Sequence, residues 1–121
     1  MDRRDCKRMS EASEQARIML HLGKDPRVRI FRNNVGVARF PDGSVVRYGL
    51  CPGSADLIGW RTLTIGPEHV GQQIAQFVSI ECKAPKGRVG EHQDAWYFAV
   101  KRAGGVALVA RSVDDVRGLL D

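Results

Sequence analysis

The sequence predicts an α/β fold, a mixed β-sheet flanked by helices. Three observations point there. One helical run near the N-terminus gives way to a series of short period-two segments. The continuous apolar run Val106–Ala110 then lies between two helical patterns, as a strand buried on both faces does. The order, a helix, a run of strands, then helix, strand and helix, predicts a mixed sheet with helices packed against it. The coarse order is α-β-β-β-α-β-α, with the β portion a run of short strands.

The elements follow in chain order. Ser10 with Glu11 and Glu14 behind it marks a helix start, Ile18, Met19 and Leu22 continue it, and Gly23 ends it. Residues 1–9 read as a flexible basic N-terminus. Strands are expected at 28–31 and 35–40, a turn at Pro41-Asp42-Gly43-Ser44, and a return strand at 45–48. Segments 56–60 and 63–65 read as short strands, and 74–84 as the longest one. A basic loop, 84–90, leads to a helix at 91–102, ended by Gly104-Gly105. After strand 106–110, Ser112 caps a last helix through Leu120, with Asp114 and Asp115 in its first turn.

At 121 residues the chain is one domain's worth, and its 43% hydrophobic and 27% charged composition is that of a globular protein rather than a disordered one. No repeat or linker divides it, so residues 1–121 read as a single domain. No apolar run approaches the ~18 residues of a membrane span, and no secretory signal follows the charged N-terminus. Cys6, Cys51 and Cys82 are scattered and odd in number, which disfavours a disulfide framework or a structural zinc site. The expectation is a soluble, cytoplasmic protein.

The net charge of +5 is unevenly placed. Residues 1–48 carry 11 basic and 6 acidic side chains, and residues 49–121 carry 8 of each. Such an excess suits a polyanion, nucleic acid being the usual one.

Chemistry concentrates in the strand Phe77-Val78-Ser79-Ile80-Glu81-Cys82-Lys83-Ala84. Alternation puts Ser79, Glu81 and Lys83 on one face and Val78, Ile80, Cys82 and Ala84 on the other, which is expected to anchor the strand. Upstream, Asp56 opens a short apolar strand after the Pro52-Gly53 loop. A hairpin between the two strands would bring two carboxylates beside one lysine. Their repulsion is relieved by a hard divalent cation such as Mg²⁺, and the chemistry indicated is metal-assisted phosphodiester hydrolysis. An isolated E-x-K is otherwise an ordinary salt-bridged outer face. His21, His69 and His92 lack metal-ligand spacing. Arg32, Asn33 and Asn34 suit either phosphate contact or the shaping of a strand bend, and Lys86 and Arg88 suit phosphate contact. Trp60, Trp96, Tyr97 and Phe98 read as core or interface.

Taken together, SEASEQARI, FRNNVG, GSADLIG and SIECKAPKGRVGEHQDAWYFAVKRAGGVALVARS resemble the VRR-NUC group of the PD-(D/E)XK nuclease superfamily. The resemblance runs from about Ser10 to Asp115 and is strongest to short, stand-alone members found in bacteriophages. It implies a restriction-endonuclease-like mixed β-sheet flanked by helices, built around a divalent metal, Mg²⁺ or Mn²⁺. Carried over, Asp56, Glu81, the Cys82 backbone carbonyl and Glu11 would be metal ligands, Lys83 the catalytic lysine, and Gln93 a residue facing the acidic cluster. Glu14 is the alternative first-helix acid; Glu11 and Gln15 share a helical face in the family's E-x-x-x-Q spacing. The superfamily's Pro-Asp pair is relaxed here, because Pro52 lies four residues before Asp56. The function implied is a metal-dependent DNA endonuclease, acting as a homodimer on branched DNA such as four-way junctions, in a bacterial or phage-infected cell. The alternative is a non-catalytic nucleic-acid-binding module of the same fold. Retention of Asp56, Glu81 and Lys83 separates the two. A basic protein that binds a protein partner would explain the charge but not the motif order.

Overall fold

The structure is a computed structural model that describes residues 3–120, with side chains from Ser10 onward. The chain divides into two compact units, Met1–Arg61 and Thr62–Asp121.

The first unit opens with α1 (Arg3–Leu22). The helix begins seven residues before the expected Ser10 start, so residues 3–9 belong to α1. That stretch has neither Gly nor Pro to interrupt it, and Ser10 sits exposed inside the helix instead of capping it. Gly23 donates its N–H to the Met19 carbonyl at 2.9 Å and closes the last turn. The turn that follows is held by Asp25, whose carboxylate accepts from the Arg27 backbone N–H at 2.9 Å and from its guanidinium at 3.1 and 2.7 Å. Hydrogen bonds from Arg27 hold the Asp25 carboxyl down at about 2.

β1 (Val28–Arg32) pairs antiparallel with β4 (Leu57–Arg61), in register from Val28 opposite Arg61 to Arg32 opposite Leu57. Phe31 and Trp60 pack with ring centroids 5.8 Å apart. Between these strands β2 (Gly36–Arg39) and β3 (Val45–Tyr48) form a hairpin over the expected turn. Asp42 ties that turn by accepting from the Ser44 N–H at 2.9 Å and the Ser44 hydroxyl at 2.6 Å, which lowers its pKa.

The second unit is a β5–α2–β6 crossover. β5 (Val78–Cys82) runs parallel to β6 (Val106–Ala110), with Val78 opposite Val106 and Cys82 opposite Ala110. α2 (Glu91–Arg102) joins them, as expected of a parallel connection. The helix ends at Gly104, whose φ of +97° suits glycine, and the Gly105 N–H returns to the Val100 carbonyl at 3.0 Å. Val100, Ala107 and Ala110 are its most buried apolar residues.

Several expectations need correction. The fold is mixed α/β, but among the described residues the strands form three two-stranded sheets, β1–β4, β2–β3 and β5–β6, rather than the one mixed sheet expected. Five strands precede α2. Segment 63–65 is not a strand, and the long strand expected at 74–84 is confined to Val78–Cys82. The segment after Ser112 is a 3₁₀ helix, Val113–Leu120. Among the described residues, no helix is long and apolar enough to cross a membrane.

Candidate functional site

β5 faces the opposite way from the simplest hydropathy reading. Ser79, Glu81 and Lys83 are on the more covered side, and Val78, Ile80 and Cys82 are exposed. Side-chain hydrogen bonds from α2 explain the inversion. Trp96 donates its indole N–H to the Ser79 hydroxyl at 2.7 Å, and Gln93 donates its Nε2 to Glu81 Oε1 at 2.8 Å. A polar strand face can be covered when each of its groups finds such a partner.

Lys83 lies one residue beyond β5, yet its N–H reaches the Ala110 carbonyl at 3.0 Å, so the ladder continues through it. It therefore stays on the Glu81 face, and its Nζ lies 3.2 Å from Glu81 Oε1. The lysine side chain is 20% exposed and the glutamate 39%, so the pair is neither freely solvated nor sealed. One carboxylate oxygen thus accepts the Gln93 amide N–H and lies in ion-pair contact with the Lys83 ammonium.

The orientation of Gln93 is determined by chemistry. Its Oε1 accepts from the Gly90 N–H at 3.0 Å, half of a capping box at the start of α2. A backbone N–H only donates, so the amide oxygen must face it and the NH₂ is left for Glu81. The helix N-terminus and the carboxylate are locked together through one side chain. Beside them opens a cavity of about 230 Å³, lined among others by Glu81, Gln93, Trp96, Ala107 and Val109.

In the first unit Asp56 is exposed just before β4, and its backbone carbonyl accepts from the Asn33 N–H at 2.8 Å. The expected hairpin between the Asp56 and Glu81 strands is not formed, because β4 pairs with β1 and β5 with β6. Of the two roles open to Asn33, phosphate contact or the shaping of a bend, its side-chain bonds serve the bend. Asn33 is 7% exposed, and its side chain is consumed within the protein. Nδ2 donates to Ser54 Oγ at 2.7 Å and to the Ala55 carbonyl at 2.9 Å, while Oδ1 accepts from the Leu50 N–H at 3.1 Å. Asn33 therefore brackets the loop that delivers Asp56. The pattern FRNN-G marked this bend, but only the fold shows which asparagine holds it.

Arg32 is exposed and its Nη1 reaches Gln15 Oε1 at 3.4 Å, tying β1 to α1. Glu11 and Glu14 are exposed on α1, and Glu14 pairs with Arg17 at 3.5 Å. Lys86 and Arg88 are exposed in the loop between β5 and α2. Arg111, not singled out in the sequence, donates its Nη2 to the Gly87 carbonyl at 2.9 Å in that loop.

Glu81 offers the hard oxygen ligand that Mg²⁺ or Mn²⁺ prefers. Among the described residues no three His, Cys, Asp or Glu side chains converge into a metal-binding cluster. The structure thus brings Glu81, Lys83 and Gln93 into contact within the second unit, and holds Asp56 and Glu11 on the first.

No curated protein and no solved structure matches the chain. The family model of the VRR-NUC domain matches residues 9–114, which include both the Asn33–Asp56 bracket and the Glu81–Lys83–Gln93 set. The chain belongs to the VRR-NUC family of nuclease domains.

Proposed function

We propose that this nuclease domain is a metal-dependent DNA endonuclease that acts as a homodimer on branched DNA such as four-way junctions. The observation that supports catalysis is the set in which Glu81 Oε1 accepts a hydrogen bond from Gln93 and forms an ion pair with Lys83. Glu81, Asp56, Glu11 and the Cys82 backbone carbonyl would hold Mg²⁺ or Mn²⁺. When bound, the metal supplies Lewis acidity toward a phosphoryl oxygen. In hydrolysis, a water oxygen forms a bond to phosphorus, the P–O bond to the leaving strand breaks, and the leaving oxygen takes a proton. Gln93 holds the Glu81 carboxylate in one orientation. Lys83, a donor while protonated, orients the water or balances charge on the phosphate. Arg32, Lys86 and Arg88 would bind phosphates without reading bases. Two copies related by a two-fold axis suit the near two-fold symmetry of a junction, with one centre for each of two strands.

The test is cleavage of linear duplex, flap and four-way-junction DNA with Mg²⁺ or Mn²⁺. Glu81→Ala and Lys83→Ala serve as controls, and light scattering gives the oligomeric state. Junction cleavage that EDTA abolishes and either substitution reduces by orders of magnitude is expected, because cooperating groups fail together. Full activity in a folded Glu81→Ala protein refutes the site. Equal rates on duplex and junction remove the structure selectivity, and a mass near 13.4 kDa removes the dimer.

A further inference from the structure

The loop between β5 and α2 is fastened at three points. Within it, the Gly87 N–H donates to the Ala84 carbonyl at 2.9 Å. At its far end the Gly90 N–H donates to Gln93 Oε1. The third tie comes from the strand next door. The Lys83–Ala110 step of the ladder sets Arg111 beside the start of the loop, and its guanidinium donates to the Gly87 carbonyl at 2.9 Å. Arg111 is itself steadied from behind, since its backbone N–H donates to Asp115 Oδ2 at 2.8 Å.

Gly87 stands between Lys86 and Arg88, so the strap holds the peptide from which both cations project. Among the described residues no ion pair engages Lys86, Arg88 or Arg111. A guanidinium carries five N–H donors, and the bond to Gly87 uses one. Arg111, Lys86 and Arg88 are all exposed.

We propose that Arg111 is a positioning residue that fixes the Lys86–Arg88 loop for the phosphodiester backbone of the substrate. The proposal rests on the DNA-nuclease reading. An exposed loop without the strap would sample many conformations, and each phosphate contact would then carry the cost of ordering it. With the strap, the loop is ordered before DNA arrives, and Lys86 and Arg88 keep a fixed position relative to Lys83.

Two measurements on the full chain test this. The first is hydrogen exchange without DNA. Arg111→Ala is expected to speed exchange at the Gly87 and Gly90 amides by roughly three- to tenfold, the net worth of one ordinary hydrogen bond at an exposed site. Arg111→Lys, which keeps a donor, is expected to restore part of the protection. Should Arg111→Ala lose its fold by circular dichroism, Arg111→Gln, too short to reach, takes its place.

The second is a double-mutant cycle with Arg88→Ala, read as affinity for a short duplex in EDTA, where no cleavage occurs. If Arg111 acts through the loop, each single substitution weakens binding. The double substitution then weakens it by less than the product of the two. Unchanged exchange in Arg111→Ala overturns the proposal. So do effects that multiply, which would make Arg111 a separate phosphate contact. Wild-type protein that binds no DNA would defeat the nuclease reading and this role with it. That result is distinct from an Arg111 variant that binds as the wild type does.

Discussion

Replacing Asn33 by Ala removes three hydrogen bonds from a side chain that is 7% exposed. The Leu50 N–H and the Ala55 carbonyl lose their side-chain partner. Ser54 Oγ loses a donor but still donates to the Cys51 carbonyl at 2.7 Å. At about 1 kcal/mol net for each bond, the loss comes to about 3 kcal/mol, less whatever water recovers in the space left behind. For a chain of this length, that lowers the midpoint of thermal unfolding by roughly 10 °C. Asn33→Asp sharpens the test because it keeps the shape. The introduced carboxylate would face the Ala55 carbonyl and a Ser54 hydroxyl whose hydrogen is already given to Cys51. Both contacts, and burial, disfavour the charged form, so the introduced carboxyl has a raised pKa in the folded state. Its penalty relative to wild type is smallest below the unfolded carboxyl value of about 3.9 and grows as pH rises through the folded value. Differential scanning calorimetry of the three proteins across pH 3–8 reads both effects. An Asn33→Ala protein within about 0.5 kcal/mol of wild type would refute the bracket, since that is the scatter of neutral surface changes. An Asn33→Asp penalty independent of pH would refute the electrostatic half.

Three further outcomes are expected. On the proposed metal-dependent reading, Gln93→Leu frees both the Glu81 carboxylate and the Gly90 N–H, and should lower the cleavage rate roughly 10- to 100-fold, as loss of a ligand's supporting hydrogen bond does. The rate on junction DNA at saturating metal checks it. Gly59→Ala places a Cβ against the Arg29 carbonyl in the neighbouring strand and should destabilise the protein by roughly 1–3 kcal/mol in urea, an overpacking cost. The Asp25 carboxyl, held at about 2 by Arg27, should keep its turn intact down to pH 4. Whatever stability this interaction gives is present above the unfolded value near 3.9 and fades as pH falls toward 2, which an NMR titration of Asp25 follows.

The sequence by itself determined what is local. The turn at 41–44 rests on Asp42 accepting from Ser44, two residues away. The bounds of α2 and β6 are set by glycines and by an unbroken apolar run, and the structure keeps both. Glu81 and Lys83 share a face because strand alternation requires it. The ordered motifs also placed the chain in its family. Other features depend on partners distant in sequence. Which face of β5 is covered followed from Trp96 and Gln93 on a helix more than ten residues on, and their hydrogen bonds outweighed the hydropathy that favoured Val78 and Ile80. Asn33 became a loop bracket because β1 pairs with β4 and brings residues 50–56 against it. Arg111 gained a role only when β6 was laid parallel to β5. Pairing of this kind is set by loop closure and burial over the whole chain, and neither leaves a mark within a few residues of sequence.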